Sequence, residues 1–511
     1  MISAAPMTDA IDWSIPFPLI STNFSIETIA PLLANTPPAE SGPLILAGVL
    51  LSLVVIYLAS KIGGELCARL DLPPVLGELV GGVVIGISAL NLLVFPESGA
   101  DSSSSLIMSF LQATSGANPD SMAAIFETQS EVIAILSELG VIVLLFEIGL
   151  ESDLKELIRV GPKAAVVAVV GVIVPFVTGM LGLIYLFGIP TVPAIFAGAA
   201  LTATSIGITA KVLAEIQRLN SKEGQIIIGA AVLDDILGII ILAVVASLAK
   251  TGEIEVANIL YLIVSSAALL IGTIVIGRFL SPYFVSLVNE LKTRGQLLLA
   301  SLIFAFILSY IAAAIQLEAI LGAFVAGLVL AETEKQKELE EQIIPIADML
   351  VPVFFVTVGA KTDLGVLNPA IPSNREGLIV AVFLIAVAII GKMTSGLAVF
   401  GKEKLNRLAI GVGMIPRGEV GLVFVGVGSA SGILSPSMEA AIIMMVILTT
   451  FVAPPFLRIA FRDPKPSDGE ASELSLDASS SEALNVPLND QQQLSGLKND
   501  LEAVQPDLKD G

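Results

Sequence analysis

The chain has 511 residues, of which 55% are hydrophobic and only 14% are charged, and its mean hydropathy is +0.90. Because soluble domains carry about 25% charged residues, this composition and its long apolar runs exclude a soluble globular protein and indicate a membrane protein. The single cysteine, Cys67, excludes an intrachain disulfide, and histidine is absent, so carboxylates and lysines must carry any response to pH. The net charge of −21 comes with no basic patch, and we expect no nucleic-acid partner.

The predicted elements begin with residues 1–42, which are Pro-rich, contain no Lys or Arg, and lack the charged start and apolar core of a signal peptide. We expect an N-terminal extracytoplasmic segment there. The apolar runs that follow are continuous, without the alternation a β-barrel needs, so they predict an all-α polytopic membrane protein. We predict about 13 transmembrane helices, at 43–62, 73–94, 131–150, 162–187, 190–215, 223–249, 257–280, 294–315, 317–333, 341–360, 376–400, 405–430 and 436–460.

The chain ends in residues 461–511, which are rich in Ser, Asp, Gln and Pro and predict a disordered acidic tail. Lys and Arg are distributed unevenly among the predicted loops. With the N-terminus outside, 19 of them fall in inside loops and 3 in outside loops. Positive residues favour the cytoplasmic side of a membrane. The count therefore predicts an N-terminus outside and a cytoplasmic C-terminus.

The two halves of the chain resemble each other. VLGELVGGVVIG around Gly77 matches ILGAFVAGLVLA around Gly322, and EIGLESDL around Gly149 matches TVGAKTDL around Gly359. The paired segments are seven spans apart, an odd number, so the second copy is predicted to be inverted. The predicted membrane domain, 43–460, then consists of repeat one at 43–249, a linker helix at 257–280 and repeat two at 294–460.

An aspartate pair, Asp234 and Asp235, lies deep in the run GAAVLDDILGIIILAVV. An ionised carboxylate at this depth costs several kcal/mol, so it normally faces a cavity or a partner. Carboxylate oxygens bind both Na⁺ and protons, and coupled ionisation lets one ion displace the other. The pair is predicted to bind Na⁺ and protons in competition; the plainer alternative is a pair at a helix end in the headgroup region.

Two spans are predicted to be broken. Polar residues interrupt 190–215, although hydroxyls bonding back within an intact helix would also explain them. Pro416 removes a backbone donor from 405–430. Freed carbonyls and hydroxyls could ligate a cation where the breaks cross, and Arg417 and Glu419 could balance the helix dipoles or form a purely structural ion pair. The candidate ion-binding hydroxyls are Thr202, Thr204 and Ser205.

Lys392 lies too far inside its span to reach the headgroups and needs a buried anion, either Asp234 or Asp235. If cation binding separates this pair, Lys392 could also release a proton; a static ion pair is the alternative. Four other membrane carboxylates have plainer explanations in packing, helix-end charge or cavity entrances: Glu78, Glu138, Glu147 and Asp348.

Seven motifs together carry a resemblance over about residues 43–460. They are LGELVGG at 76–82, LLFEIGLESDL at 144–154, TATSIGITAKVL at 202–213, VLDDILG at 232–238, PVFFVTVGAKTDL at 352–364, GK at 391–392 and PRGEVGLV at 416–423. The chain resembles the bacterial monovalent cation:proton antiporters, and most of all the cyanobacterial sodium/proton antiporters.

The resemblance implies a homodimer with a dimerisation domain and a core domain that moves like an elevator. It implies Asp235 as the principal ion-binding carboxylate, Asp234 as the partner of Lys392, and Thr204 with its neighbours as the crossover. The pattern of two aspartates and a lysine resembles that of the electrogenic members of this family, which move more than one proton per cation. No cofactor is implied; the ligands are the transported Na⁺ and H⁺. The implied location is a bacterial inner membrane, or a thylakoid membrane if the source is cyanobacterial.

The sequence leaves other functions open as alternatives. A K⁺/H⁺ antiporter differs only in cavity geometry, although the chain lacks the nucleotide-binding domain of the potassium-efflux branch. A cation channel would need a filter sequence, and a sodium-coupled symporter would need more polar groups for an organic substrate. An intramembrane aspartyl protease would need aspartates on separate helices, whereas Asp234 and Asp235 are adjacent. The sequence therefore favours a transporter over an enzyme.

Overall fold

The computed structural model describes residues 42–251, 256–290, 295–367, 372–401 and 403–462, and these contain helices but no strands. Residues 1–41 and 463–511, which make up nearly all of the predicted N-terminal segment and tail, lie outside the described residues. In chain order the α-helices are α1 Gly42–Arg69, α2 Pro74–Ile85, α3 Leu106–Ser115, α4 Pro119–Glu151, α5 Leu154–Phe187, α6 Thr191–Ala200, α7 Ile206–Glu215, α8 Lys222–Thr251, α9 Val256–Glu290, α10 Gln296–Ala314, α11 Ala319–Ala331, α12 Gln336–Ala360, α13 Pro372–Leu397, α14 Arg407–Gly413, α15 Glu419–Ala430 and α16 Pro436–Ala460.

Each predicted span overlaps one of these helices or, at two places, a pair of short ones. Among the described helices, nine are long and apolar enough to cross a membrane, and α2, α3, α6 and α11 are shorter apolar helices. The all-helical architecture is therefore confirmed, whereas the number of 13 spans stays a prediction. Helix α3 lies in the stretch 95–130, which the sequence predicted to be a loop, and Ser105 caps its N-terminus.

The two predicted helix breaks are present. Helices α6 and α7 are separated by residues 201–205, and α14 and α15 are separated by residues 414–418. In the second break Pro416 has no backbone N–H to continue the helical bonding. Both breaks are buried, so their polar backbone groups have to find partners inside the protein.

Several helix boundaries differ from the prediction, among them the end of α2 and the start of α4. The span predicted at 73–94 is helical only to Ile85, because the extended backbone of Gly86 packs directly on Ala360 and turns the chain away. Helix α4 begins well before its predicted start, where the Asn118 side chain accepts a bond from the Ser121 amide at 2.9 Å. Both differences arise from contacts and caps that hydropathy does not report.

Glycine contacts between the halves follow the sequence repeat. Gly82 packs on Gly359, and a Cβ on either would overlap the other helix's backbone. Gly327, the repeat equivalent of Gly82, packs in the same way on Gly149, the equivalent of Gly359. The two contacts are exchanged between the halves, as a two-fold relationship between them requires.

The crossing of α4 and α12 lies at the centre of this arrangement. Gly140 precedes Gly149 by the same number of residues as Leu350 precedes Gly359, so Gly140 and Leu350 are equivalent positions. Gly140 packs on the backbone carbonyl of Leu350. Because a position that meets its own equivalent lies near the axis relating two copies, α4 and α12 cross at that axis.

Carboxylates form ion pairs and hydrogen bonds at the ends of the helices that build the site. Glu403 lies 2.5 Å from Lys163 Nζ of α5 and 3.4 Å from Lys222 Nζ of α8, and the bond from Lys163 holds the pKa of Glu403 below its usual range. At the end of α7, the Glu215 carboxylate accepts a bond from the Val75 amide at 3.2 Å, where α2 has no side-chain cap of its own. These contacts anchor the connections around the two breaks.

The glycine contacts generate a stability prediction. Replacing Gly149 by Ala is expected to lower the free energy of unfolding by about 1–3 kcal/mol, because the added methyl overlaps the Phe324 carbonyl of α11. Gly272→Ala in α9 meets no atom within 4 Å and serves as the control, with an expected change of about 0.5 kcal/mol or less. Thermal unfolding of the purified variants measures both. Equal melting temperatures would contradict the packing described.

Candidate functional site

The aspartate pair lies in the middle of α8. Asp234 is fully buried and Asp235 is 2% exposed. Because successive helix positions point about 100° apart, the two carboxylates face different neighbours. Asp234 Oδ2 accepts a bond from Lys392 Nζ at 2.6 Å and one from Thr204 Oγ1 at 2.5 Å. Its other oxygen, Oδ1, has no hydrogen-bond partner among the described residues. Asp234 is thus the carboxylate that joins α8 to α13 and to the first break.

Lys392 is fully buried on α13 and forms its ion pair with Asp234. The position of Lys392 in its span left either aspartate possible, whereas the resemblance implied Asp234, and Asp234 is the one that Lys392 contacts. Space for the lysine comes from Gly171 of α5, where an added Cβ would lie 3.4 Å from both Cδ and Nζ of Lys392. A buried ion pair loses much hydration energy, and removing one partner leaves the other charge uncompensated. Loss of either Lys392 or Asp234 is therefore expected to destabilise the protein.

The three hydroxyls of the first break do different things. Thr202 Oγ1 donates to the Ala199 carbonyl of its own helix at 2.7 Å, so it caps α6. Thr204 Oγ1 contacts Asp234 and lies 3.2 Å from the Met414 carbonyl. Ser205 Oγ is buried and has no hydrogen-bond partner among the described residues. Only Thr204 among these three has its hydroxyl bonded to an aspartate in the described contacts.

The backbone of the second break is bonded across the crossing. The Ser205 amide donates to the Pro416 carbonyl at 2.9 Å, which joins the two breaks directly. Thr209 Oγ1 of α7 donates to the Gly413 carbonyl at 2.9 Å. Thr450 Oγ1 of α16 donates to the Arg417 carbonyl. Side-chain hydroxyls and a backbone amide thus replace the helical hydrogen bonds that the break removes.

The side chain of Arg417 completes the crossing from the other direction. It is fully buried, and Nη1 donates to the carbonyls of Ala203 and, at 3.3 Å, Thr202. Those carbonyls lie at the C-terminal end of α6, where a helix dipole favours a positive charge. Glu419 begins α15, but its side chain lies outside what the structure describes. A pairing of Arg417 with Glu419 therefore stays a prediction.

The charges of the site balance in one protonation state. Two carboxylates, Asp234 and Asp235, lie near two cationic groups, Lys392 and Arg417. Lys392 interacts electrostatically with the other three groups, and Arg417 interacts with Asp234 as well. Adding a cation to this neutral set creates an excess charge in a medium that stabilises it poorly. Loss of a proton removes that excess. Within the described residues no group of three or more His, Cys, Asp or Glu side chains is placed to hold a metal.

The sequence missed three contributors to this arrangement. Thr209 and Thr450 donate to the second break, and Gly171 makes room for Lys392. Thr209 offered a weak signal, since it lies five positions after Thr204 in the interrupted span. Thr450 offered none, because a threonine in an apolar helix usually bonds to its own backbone.

Comparison with known proteins gives consistent matches. Residues 49–462 match the family model described as sodium/hydrogen exchanger, transmembrane. The chain is 66% identical over 452 residues to the high-affinity Na⁺/H⁺ antiporter NhaS3 of Synechocystis, covering 88% of this chain and 96% of that one. It is 32% identical to the Na⁺/H⁺-K⁺ antiporter GerN of Bacillus cereus, covering 80% and 95%. The solved sodium proton antiporter MjNhaP1 of Methanocaldococcus jannaschii shares the fold, with a TM-score of 0.55, 17% identity and coverage of 81% and 97%.

The buried ion pair generates a double-mutant prediction. Asp234→Asn and Lys392→Met are each expected to reduce the free energy of unfolding by about 3–5 kcal/mol, because each leaves one buried group unpaired. The double variant is expected to be more stable than either single variant by at least about 1 kcal/mol. Thermal unfolding at one pH measures all three.

The control pair is Glu97 and Lys361, which lie 2.7 Å apart with side chains 68% and 28% exposed, in the connections that follow α2 and α12. Glu97→Gln and Lys361→Met are expected to change stability by about 1 kcal/mol or less. Purely additive effects at Asp234 and Lys392 would show that the two side chains do not depend on each other.

Proposed function

Because the chain belongs to the sodium/hydrogen exchanger family, we propose that it is a secondary active transporter that exchanges Na⁺ for H⁺ at the aspartate pair. One observation carries the proposal: two adjacent buried carboxylates lie where two broken helices cross, and one of them is paired with a buried lysine. Charged groups inside a membrane protein are costly and are associated with ion and proton pathways. The relatives named above, including NhaS3, support Na⁺ as the cation.

Competition between Na⁺ and a proton for Asp235 couples the transport of the two ions. Asp235 can hold either a proton or, together with Asp234 and the Thr204 hydroxyl, a Na⁺ ion. A bound Na⁺ favours the ionised carboxylate and a bound proton neutralises it, so each ion weakens the binding of the other. If the site changes the side it faces only when it is loaded, this competition is sufficient for exchange.

Lys392 can make the exchange electrogenic by releasing a second proton. A Na⁺ ion that draws Asp234 away would leave the Lys392 ammonium without its partner at 2.6 Å. A buried unpaired ammonium favours loss of its proton. If Asp235 is protonated before Na⁺ arrives, binding of one Na⁺ would then release that proton and another from Lys392. On this basis the exchange moves more than one proton per Na⁺ and is electrogenic.

We place the protein in the bacterial inner membrane, or in the thylakoid membrane for a cyanobacterial source, with the N-terminus outside and the C-terminus in the cytoplasm. It works as a homodimer in the lipid bilayer, and the helices around the crossing, α5–α8 and α13–α16, form the part that moves. The packing of α5 on α8 and α13, and of α13 on α16, supports treating these helices as one body.

K⁺ is the second candidate cation, since the name of the relative GerN includes K⁺ as well as Na⁺. The ligands of the site are oxygen atoms, which suit both ions. An organic substrate and a proteolytic reaction find no comparable support, because the adjacent aspartates belong to one helix and have Lys392 and Thr204 as neighbours.

Exchange is tested in proteoliposomes with an acidic lumen. Adding Na⁺ outside is expected to make the lumen alkaline, Li⁺ and K⁺ define the selectivity, and Asp235→Asn is expected to abolish the response because it cannot ionise. Asp363→Asn is the matched control, since that carboxylate lies in a loop and bonds the Gly365 amide. A wild-type protein that gives no cation-dependent response at any pH would contradict the proposed function.

Electrogenicity is tested separately with a potential-sensitive dye. In vesicles without an initial potential, a Na⁺ gradient is expected to generate a voltage across the membrane, because more protons than Na⁺ ions cross per cycle. A protonophore should then accelerate Na⁺ flux by removing this voltage. Exchange without any voltage would indicate one proton per Na⁺ and would remove Lys392 from the proton balance.

A further inference from the structure

The second break leaves backbone carbonyls that a continuous helix would have satisfied. Three of these carbonyls accept hydrogen bonds from the first broken helix. Thr209 of α7 donates to Gly413, and Thr204 and Ser205 of the 201–205 break donate to Met414 and Pro416. The carbonyl of Arg417 differs, because its donor is Thr450 Oγ1 on α16, a helix that belongs to neither break. This contact links the last membrane helix to the crossing.

Thr450 differs from its neighbour Thr449 in one respect that matters here. Both are buried, at 4% and 0% exposure, in the same turn of α16. The hydroxyl of Thr449 donates to carbonyls of its own helix, Met445 at 2.8 Å and Val446 at 3.0 Å. Those carbonyls belong to a continuous helix, whereas the Arg417 carbonyl lies in a break. Losing the Thr450 hydroxyl therefore deprives a buried acceptor of its partner, and losing the Thr449 hydroxyl does not.

Arg417 connects this contact to the ion site. Its backbone is held by Thr450, and its guanidinium holds the carbonyls of Thr202 and Ala203 in the first break. The next residue, Thr204, bonds directly to Asp234. Arg417 also interacts electrostatically with Asp234. Displacing the Arg417 backbone would therefore alter both the placement of Thr204 and the positive charge near the carboxylates.

We propose that Thr450 is a positioning residue for ion exchange: by holding the Arg417 carbonyl, it fixes Arg417 against the first break and so sets the affinity of the aspartate site for Na⁺. This inference rests on the proposed function, which places Na⁺ at that site. It gives α16 a role in the ion site through one hydrogen bond to the second break.

The test compares Thr450→Val with Thr449→Val, which remove a hydroxyl of the same size from adjacent buried positions. Thr450→Val is expected to raise the apparent KM for Na⁺ about fivefold or more, the effect of leaving one buried acceptor without its donor. Its pH profile should also shift, because Arg417 contributes to the charge at Asp234. Thr449→Val is expected to stay within about a factor of two of wild type in KM, and Thr450→Ser should restore the wild-type KM because it keeps the hydroxyl.

A second measurement separates this inference from the proposed function. Na⁺-induced thermal stabilisation of the purified protein reports binding without requiring exchange, and it should weaken in Thr450→Val but not in Thr449→Val. If Thr450→Val does not fold, Thr450→Ala and Thr450→Ser form the decisive pair, with weak binding expected for Ala alone. Equal Na⁺ dependence in the two valine variants would overturn the role of Thr450, even if exchange itself is intact. If wild type binds Na⁺ without exchanging it, the proposed function fails while the comparison at Thr450 still decides the inference.

Discussion

The pairing of Lys392 with Asp234 is the interaction on which the rest of the site depends. Four ionisable side chains lie within the buried core of an apolar helical protein, where an isolated charge is costly. Lys392 and Thr204 both donate to Asp234 there, so the buried ammonium of Lys392 has a carboxylate as its partner. On the proposed function, a Na⁺ ion bound beside these side chains would add a charge to this buried set, and release of protons would offset it.

The same constraint governs the backbone. Breaking two helices inside the protein exposes amides and carbonyls that water cannot reach, and the structure satisfies them reciprocally. Arg417 of the second break bonds carbonyls of the first, and the Ser205 amide of the first bonds a carbonyl of the second. Thr450 adds a bond from outside the crossing. The crossing is therefore a bonded unit, and displacement of one break is transmitted to the other and to Asp234.

How far the sequence predicted this structure depended on the kind of signal. Hydropathy located the helices, and Pro416 and the polar run at 202–205 located the breaks, because local chemistry causes both. The predicted end of α2 and the predicted start of α4 were wrong, because a glycine contact determines the first and an asparagine cap the second. The depth of Lys392 in its span could not choose between the two aspartates, because adjacent residues differ only in the direction they face; the choice of Asp234 came from the resemblance, and the structure shows that pair. Thr450 was missed because its partner is distant in the chain.

The central claim is that Na⁺ and protons compete for this one set of charges. The most direct measurement is calorimetric titration of the purified protein with Na⁺ in buffers of different protonation enthalpy, which counts the protons released per Na⁺ bound. The account predicts release of more than one proton per Na⁺ in wild type, and a smaller number in Lys392→Met, where only the carboxylates can supply one. Na⁺ binding that releases no proton in any buffer would contradict it.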